Sequence, residues 1–272
     1  MKHTSLRMAL AFATALCLAP TGAISAESTW SAIKPAIFQE RVIHHSREMI
    51  TLDAPYRTLD DRVIPIRVNT ALSDGRNIKS LTLIADDNPM PVIGVFRPAT
   101  EVSRFGIGLN IRLDGTSIIR AVVETDDGSL YMTKKLVKTS GQGACASPPV
   151  TDLDKIDETL GQMAFNDVTA KASSSGFTSI ARRGRLKLMH PNLTGLQMNQ
   201  ITLHHIPARY IDKFTVWQGD RKLFSAESGI TLSENPEIEF DYRLDGSQQL
   251  TIEASDTDGT KFKSTFPLGP SS

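Results

Sequence analysis

Ile78-Lys79-Ser80-Leu81-Thr82-Leu83-Ile84-Ala85-Asp86-Asp87-Asn88-Pro89-Met90-Pro91-Val92-Ile93-Gly94-Val95-Phe96 contains the reading that decides the fold. Its first eight residues are mostly apolar and β-prone. Asp86 to Pro89 is a turn cluster, because Asp and Asn side chains satisfy their own backbone and Pro fixes φ. Val92 to Phe96 then starts a second short run. Two such runs around turn chemistry predict paired β-strands.

The same grammar extends outward. Val63 to Val68, Phe105 to Leu113, Ser117 to Glu124 and Leu130 to Val137 are further strand candidates, the last following the Asp126-Asp127-Gly128 turn. Pro65 suits an edge or a strand end, since it has no N–H to donate. Upstream, Trp30, Ile33, Ile37 and Phe38 share one helical face, so a short helix is predicted within Trp30 to Val42, limited by Pro35.

Downstream the pattern pauses and resumes. Residues 140–184 are rich in Gly, Ala and Ser, with a short helix predicted over Asp152 to Met163, and 146–184 reads as a flexible linker. Strand candidates then return at Arg185 to Met189, Gln200 to Ile206, Tyr210 to Gln218, Lys222 to Ala226, Glu237 to Tyr242, Gln249 to Ala254 and Lys261 to Phe266. The turns Gly219-Asp220, Asn235-Pro236, Asp245-Gly246 and Asp258-Gly259 separate them. The expectation is an all-β protein of two immunoglobulin-like β-sandwiches, residues 27–145 and 185–272, each long enough to bury its own core.

Residues 1–26 read as a signal peptide. Lys2 and Arg7 give a charged start, Met8 to Ala19 is an apolar run too short to span a bilayer, and the small residues up to Ala26 suit cleavage there. Leu16 before Cys17 does not suit a lipoprotein anchor. The expected location is the periplasm, with no membrane insertion after cleavage. Losing Lys2 and Arg7 takes 30 basic residues to 28 against 30 acidic, a net charge of −2. That balance argues against a nucleic-acid partner.

Cleavage also removes Cys17, leaving Cys145 as the one cysteine of the exported chain. A lone cysteine in an oxidising compartment is buried and inert, paired with another molecule, or chemically used. Here it sits in Ser140-Gly141-Gln142-Gly143-Ala144-Cys145-Ala146-Ser147, whose Gly141, Gly143, Ala144 and Ala146 suggest a mobile arm. No acid lies between Ser140 and Pro149, and Lys134, Lys135 and Lys138 precede it, a setting that favours thiolate. Burial as a small hydrophobe is the competing reading.

Other chemistry is thin. His44-His45 and His204-His205 place neighbouring rings on opposite strand faces, so neither pair is expected to chelate a metal. Zinc spacings, phosphate loops, dinucleotide fingerprints and Gly-x-Ser-x-Gly are absent from the sequence. A nucleophile on a mobile segment lacks the rigid support of catalysis, so no enzyme and no cofactor are expected. Two readings remain: a thiol carrier, and a β-sandwich binding or assembly module in which Cys145 is structural or incidental.

The motifs resemble a known family. Thr51-Leu52-Asp53-Ala54-Pro55, Val63-Ile64-Pro65-Ile66, Asp86-Asp87-Asn88-Pro89-Met90-Pro91, Asp127-Gly128-Ser129-Leu130-Tyr131 and Lys135-Leu136-Val137-Lys138 are similar to SoxY, a sulfur-oxidation thiol carrier. His190-Pro191-Asn192-Leu193-Thr194-Gly195, Ile206-Pro207-Ala208-Arg209-Tyr210-Ile211, Ser233-Glu234-Asn235-Pro236 and Asp256-Thr257-Asp258-Gly259 are similar to its partner SoxZ. The whole resembles the fused SoxYZ-like carriers associated with quinoprotein dehydrogenases. The resemblance implies a carrier cysteine at Cys145 and an intramolecular SoxY-like/SoxZ-like contact. It implies partners among periplasmic sulfur-metabolising or redox enzymes, including a quinoprotein alcohol dehydrogenase system. This chain departs from the SoxY arm in two ways. Its flanks read Gly143-Ala144-Cys145-Ala146-Ser147, with less glycine, and the arm is internal rather than terminal.

Overall fold

A computed structural model describes residues 26–141, 143–169 and 181–268. The signal-peptide reading of residues 1–26 lies almost wholly outside them, as do Gln142 and part of the linker. No helix among the described residues is long and apolar enough to cross a membrane.

The protein is all-β and immunoglobulin-like. The first half supplies β1 (Ile43–His45), β2 (Ile50–Asp53), β3 (Ile64–Ala71), β4 (Ile78–Ala85), β5 (Val92–Pro98), β6 (Arg104–Ile111), β7 (Ser117–Thr125) and β8 (Leu130–Val137). The second supplies β10 (Ala181–Leu188), β11 (Ile211–Gln218), β12 (Arg221–Ser228), β13 (Glu237–Arg243), β14 (Gln249–Asp256) and β15 (Lys261–Pro267). The all-β, immunoglobulin-like reading holds, and the halves expected to dock do meet. The halves join edge to edge in both layers. One sheet runs β1-β8-β7-β4-β5-β12-β11-β14-β15. The other runs β2-β3-β6-β13-β10, ending in β9 (Met163–Asp167). Phe96 of β5 stands opposite Ala226 of β12, and Leu109 of β6 opposite Ile238 of β13.

The reason is edge chemistry. Unpaired strand edges present rows of N–H and C=O groups that seek partners. Each half satisfies two of its edges with the other. The apolar core is continuous across the seam, where Phe96 meets Phe214 with ring centroids 6.0 Å apart and Phe105 meets Phe224 at 5.6 Å. On the six-stranded sheet, Gly106 and Gly108 of β6 leave room for Arg67 of β3 to reach Glu239 and Asp241 of β13.

Helix α1 (Ala26–Phe38) contains Pro35 and lays Trp30, Ile33 and Phe38 over Ile84, Val122, Leu130 and Met132, outside the main core. Beneath it Arg120 and Asp86, both fully buried, form a bidentate pair, and the guanidinium lies 4.3 Å from the Trp30 ring centroid.

Within the stretch read as linker, the described residues are partly ordered into elements. Leu153–Lys155 is a 3-10 turn and α2 spans Ile156–Thr159. Strand β9 pairs with β10, and its Phe165 stacks on Phe240 of β13. Gln200 to Ile206, expected as a strand, is instead a turn region. The Asn199 carboxamide accepts from the N–H groups of Ile201 and Thr202, and such side-chain bonds compete with a ladder.

Candidate functional site: the Cys145 segment at the seam

Strand β8 ends at Val137 and the chain crosses from one half to the other. Ser140 is fixed first: its N–H and hydroxyl both donate to the Asp61 carboxylate. Gly141 (φ 88°) and Gly143 (φ 68°) adopt left-handed backbone, which glycine does at little cost. Their freedom makes turns that aim Cys145 inward. The Ala144 N–H donates to the Leu113 carbonyl at 3.1 Å, and the Cys145 N–H to Asp114 Oδ1 at 3.3 Å. From the second half, the Thr194 hydroxyl donates to the Cys145 carbonyl at 2.6 Å. Gln197 Nε2 donates to the Ser147 carbonyl at 3.0 Å, and the Ser147 hydroxyl to the Gly143 carbonyl at 2.7 Å. Further on, the Glu234 carboxylate accepts from the N–H groups of Val150 and Thr151.

The arm is therefore docked, and Cys145 is 0% exposed and unpaired. In this state the segment expected as a mobile arm is held in place, and the thiol lies where the competing reading of a small buried hydrophobe puts it. Burial pushes the thiol pKa up to about 11, and the Asp114 carboxylate adds to the rise. The acid that the local sequence lacks arrives from the turn between β6 and β7. Lys138, expected to favour thiolate, instead lies over the Tyr56 ring at 5.0 Å. The opposing cation is Arg112, itself buried, whose pKa burial lowers. Its Nε donates to the Leu232 carbonyl and its Nη2 to the Asn192 carbonyl. No carboxylate pairs with it among the described residues. In this arrangement the thiol is protonated and shielded, with one buried cation close by.

A buried Asn pair holds the frame. Asn88 donates to the Arg112 carbonyl at 2.9 Å and accepts from the Asp114 N–H at 3.0 Å. Asn192 donates to the Ser233 carbonyl and accepts from the Ile211 N–H. His190, which burial keeps readily neutral, bonds Asn192 through Nδ1 at 2.9 Å. Arg112, Asp114, Thr194, Gln197 and Glu234 were not singled out as site residues from the sequence. The available signal was a charge at Arg112 inside an apolar strand, and the repeated Asn turns; Gln197 had none.

Exposed apolar side chains flank the segment on both sides. The loop holding Asp61 carries Leu59, 99% exposed, and Val63. The loop holding Gln197 carries Ile201, 92% exposed, with Leu196 and Leu203. His44, His45, His204 and His205 are exposed, and no group of three metal-ligating side chains occurs among the described residues.

The protein is thus an immunoglobulin-like pair fused through both sheets, with its single described cysteine at the seam. Residues 34–145 match the family model of the sulfur oxidation protein SoxY, and residues 180–267 that of the sulphur oxidation protein SoxZ. The chain carries SoxY and SoxZ domains in tandem, the domain pair of the sulfur-oxidation carrier proteins. Among solved structures, the sulfur carrier protein SoxY from Chlorobium limicola f thiosulfatophilum is 22% identical. It aligns with 42% of this chain and 98% of its own length, at a TM-score of 0.35. A superoxide reductase (neelaredoxin) from Ignicoccus hospitalis is 14% identical over 36% of this chain and 95% of its own, TM-score 0.29. A putative superoxide reductase from Thermotoga maritima is 12% identical over 36% and 86%, also at 0.29. No curated protein matches the chain.

Proposed function

We propose that this protein is an exported, periplasmic carrier that holds a sulfur-containing group covalently on Cys145 and presents it to partner enzymes. The observation that carries the reading is the placement of the cysteine. The SoxY match ends on Cys145, and that residue lies at the junction of the two matched domains.

Carriage requires the segment to open. Release breaks three hydrogen bonds, from Ala144 to Leu113, from Cys145 to Asp114 and from Thr194 to Cys145. At about 1 kcal/mol net per bond, and about 1 kcal/mol for the small apolar side chains exposed, opening costs on the order of 4 kcal/mol. That leaves roughly one molecule in a thousand open at rest. A partner docking on the apolar rim around Leu59 and Ile201 binds the open form better and shifts this equilibrium. Once out, the thiol loses its proton to water as an ordinary cysteine does. The Sγ thiolate then takes its cargo by thiol–disulfide exchange: the new Sγ–S bond forms as an S–S bond of the donor breaks, and the donor's thiolate leaves with no net change of oxidation state. The protein itself turns over no substrate in this reading. The partner class is sulfur-metabolising or redox enzymes, with a quinoprotein dehydrogenase system as the specific proposal.

The full burial of Cys145 favours a second reading, a β-sandwich assembly module with the cysteine as a packing residue. Intact mass of the protein purified from its native compartment, with and without reductant, separates the two. A reductant-sensitive mass beyond a dimer supports the carrier, and its size identifies the cargo. An unmodified chain whose thiol resists alkylation until unfolding leaves the assembly module.

A further inference from the structure

The end of the sandwich away from Cys145 holds a groove of about 1030 Å³, framed by strand ends of both halves. Strand β6 sets the separation. Arg104 at its start lines the groove, and Leu113, just beyond its end, holds Ala144. At about 3.3 Å per residue the two sites lie on the order of 30 Å apart.

Three properties of the groove point the same way. Its floor is apolar: Phe105 packs on Phe224 across the seam, and Leu223 lies beside them. Its rim is basic: five arginines face two acids, Glu101 and Asp241. Arg183 pairs with Asp241, while Arg104 and Arg243 pair with no carboxylate among the described residues. The third property is Thr70, on β3 directly opposite Phe105 in register. It is 3% exposed, lines the groove, and its Oγ1 has no hydrogen-bond partner. A buried hydroxyl left unpaired is unfavourable, and protein interiors rarely keep one without a use.

We propose that this groove binds a small amphiphilic organic anion, a carboxylate or sulfonate with an apolar body. Arg104 and Arg243 hold the charged head by charge-assisted hydrogen bonds. Phe105 and Leu223 take the apolar body. The Thr70 hydroxyl takes a polar atom of the ligand that reaches the floor. The volume suits such a molecule, and concave, mostly apolar sites with a few placed polar groups are the usual form of a ligand site. Because the groove draws on both halves, it exists only in the fused sandwich. It is independent of the carrier reading and needs no chemistry at Cys145.

Calorimetric titration of the mature chain with 1-octanesulfonate tests this, with inorganic sulfate and 1-octanol as comparison probes. Saturable binding of octanesulfonate is expected, weakened about tenfold or more when Arg104→Gln and Arg243→Gln are combined. Thr70→Val is expected to weaken binding of 8-hydroxyoctane-1-sulfonate, whose far end carries a polar atom for the floor, severalfold while leaving octanesulfonate binding unchanged and leaving or raising the thermal midpoint of the free protein, since it removes the orphan hydroxyl. A purely structural Thr70 would lower the midpoint and leave binding alone. The proposal is overturned by no saturable binding up to millimolar probe, by unchanged binding in the folded double variant, or by inorganic sulfate or octanol binding as tightly as octanesulfonate.

Discussion

The Thr194 hydroxyl reaches across the seam and donates to the Cys145 carbonyl at 2.6 Å, a bond between residues 49 apart in sequence. The same oxygen accepts from the Leu196 N–H, so the loop that grips the cysteine is itself organised by the grip. Access to the thiol is thus set in part by the second half of the chain.

Thr194→Val removes that bond and leaves the Cys145 carbonyl unpaired in the closed state. The closed form then loses about 1 kcal/mol or somewhat more. Alkylation of Cys145 by iodoacetamide under native conditions is expected to speed up five- to tenfold, while the denaturant midpoint moves little. An unchanged alkylation rate would show that Thr194 does not hold the segment shut.

The pH dependence of that alkylation carries a signature of burial. A thiol raised to about 11 is less acidic closed than open. Closure is therefore fully favourable below the ordinary thiol pKa, and the preference is lost as the pH rises toward about 11. The logarithm of the rate should climb by one unit per pH unit up to pH 10 without a plateau. An exposed thiol levels off near its ordinary pKa of about 8.5. A plateau below pH 9.5 would mean that Cys145 is open most of the time.

Asp86→Ala removes the carboxylate that grips the buried Arg120 guanidinium beneath Trp30 at both ends. Breaking a buried pair from one side costs about 3–5 kcal/mol. Asp86→Ala combined with Arg120→Met removes the buried guanidinium as well, and urea unfolding should show the double variant to be more stable than the single. The reverse order would mean that the pair is solvated in solution.

Gly161 has φ 80°, and a Cβ there would lie 2.2 Å from Phe262 Cδ1. Gly75 has φ 87° with open space around it. Gly75→Ala should lower stability by about 1 kcal/mol from backbone strain alone. Gly161→Ala adds a steric clash and should cost about 2–3 kcal/mol. Equal losses at the two positions would assign the effect at Gly161 to backbone alone.

Much of this architecture was legible in local patterns. Alternation and turn chemistry fix β4 and β8 at Ile78–Ala85 and Leu130–Val137, residue for residue as read. Strands β1, β2 and β9 escaped because three to five residues cannot display a period. The joining of β5 to β12 and β6 to β13 escaped for a different reason. Edge pairing depends on which strands lie outermost after folding, and no local pattern encodes that. The site divides in the same way. A lone cysteine marked Cys145, but Gly, Ala and Ser around it describe a chain that can bend. They do not say whether distant side chains hold the bend in place. Those side chains, Asp61, Asp114, Thr194 and Gln197, come from both halves.

The Cys145 recess is walled by Leu113 and Asp114 from one half and Thr194 from the other. Without the second half, the Cys145 carbonyl loses its Thr194 donor and the Ser147 carbonyl its Gln197 donor, so the segment is held only by Leu113, Asp114 and Asp61. Once the second half zips onto β5 and β6, the sulfur vanishes from solution. Thiol reactivity is consequently a gauge of assembly: a chain whose Cys145 reacts quickly under native conditions has not seated the segment against the second half, and a chain whose thiol is slow has.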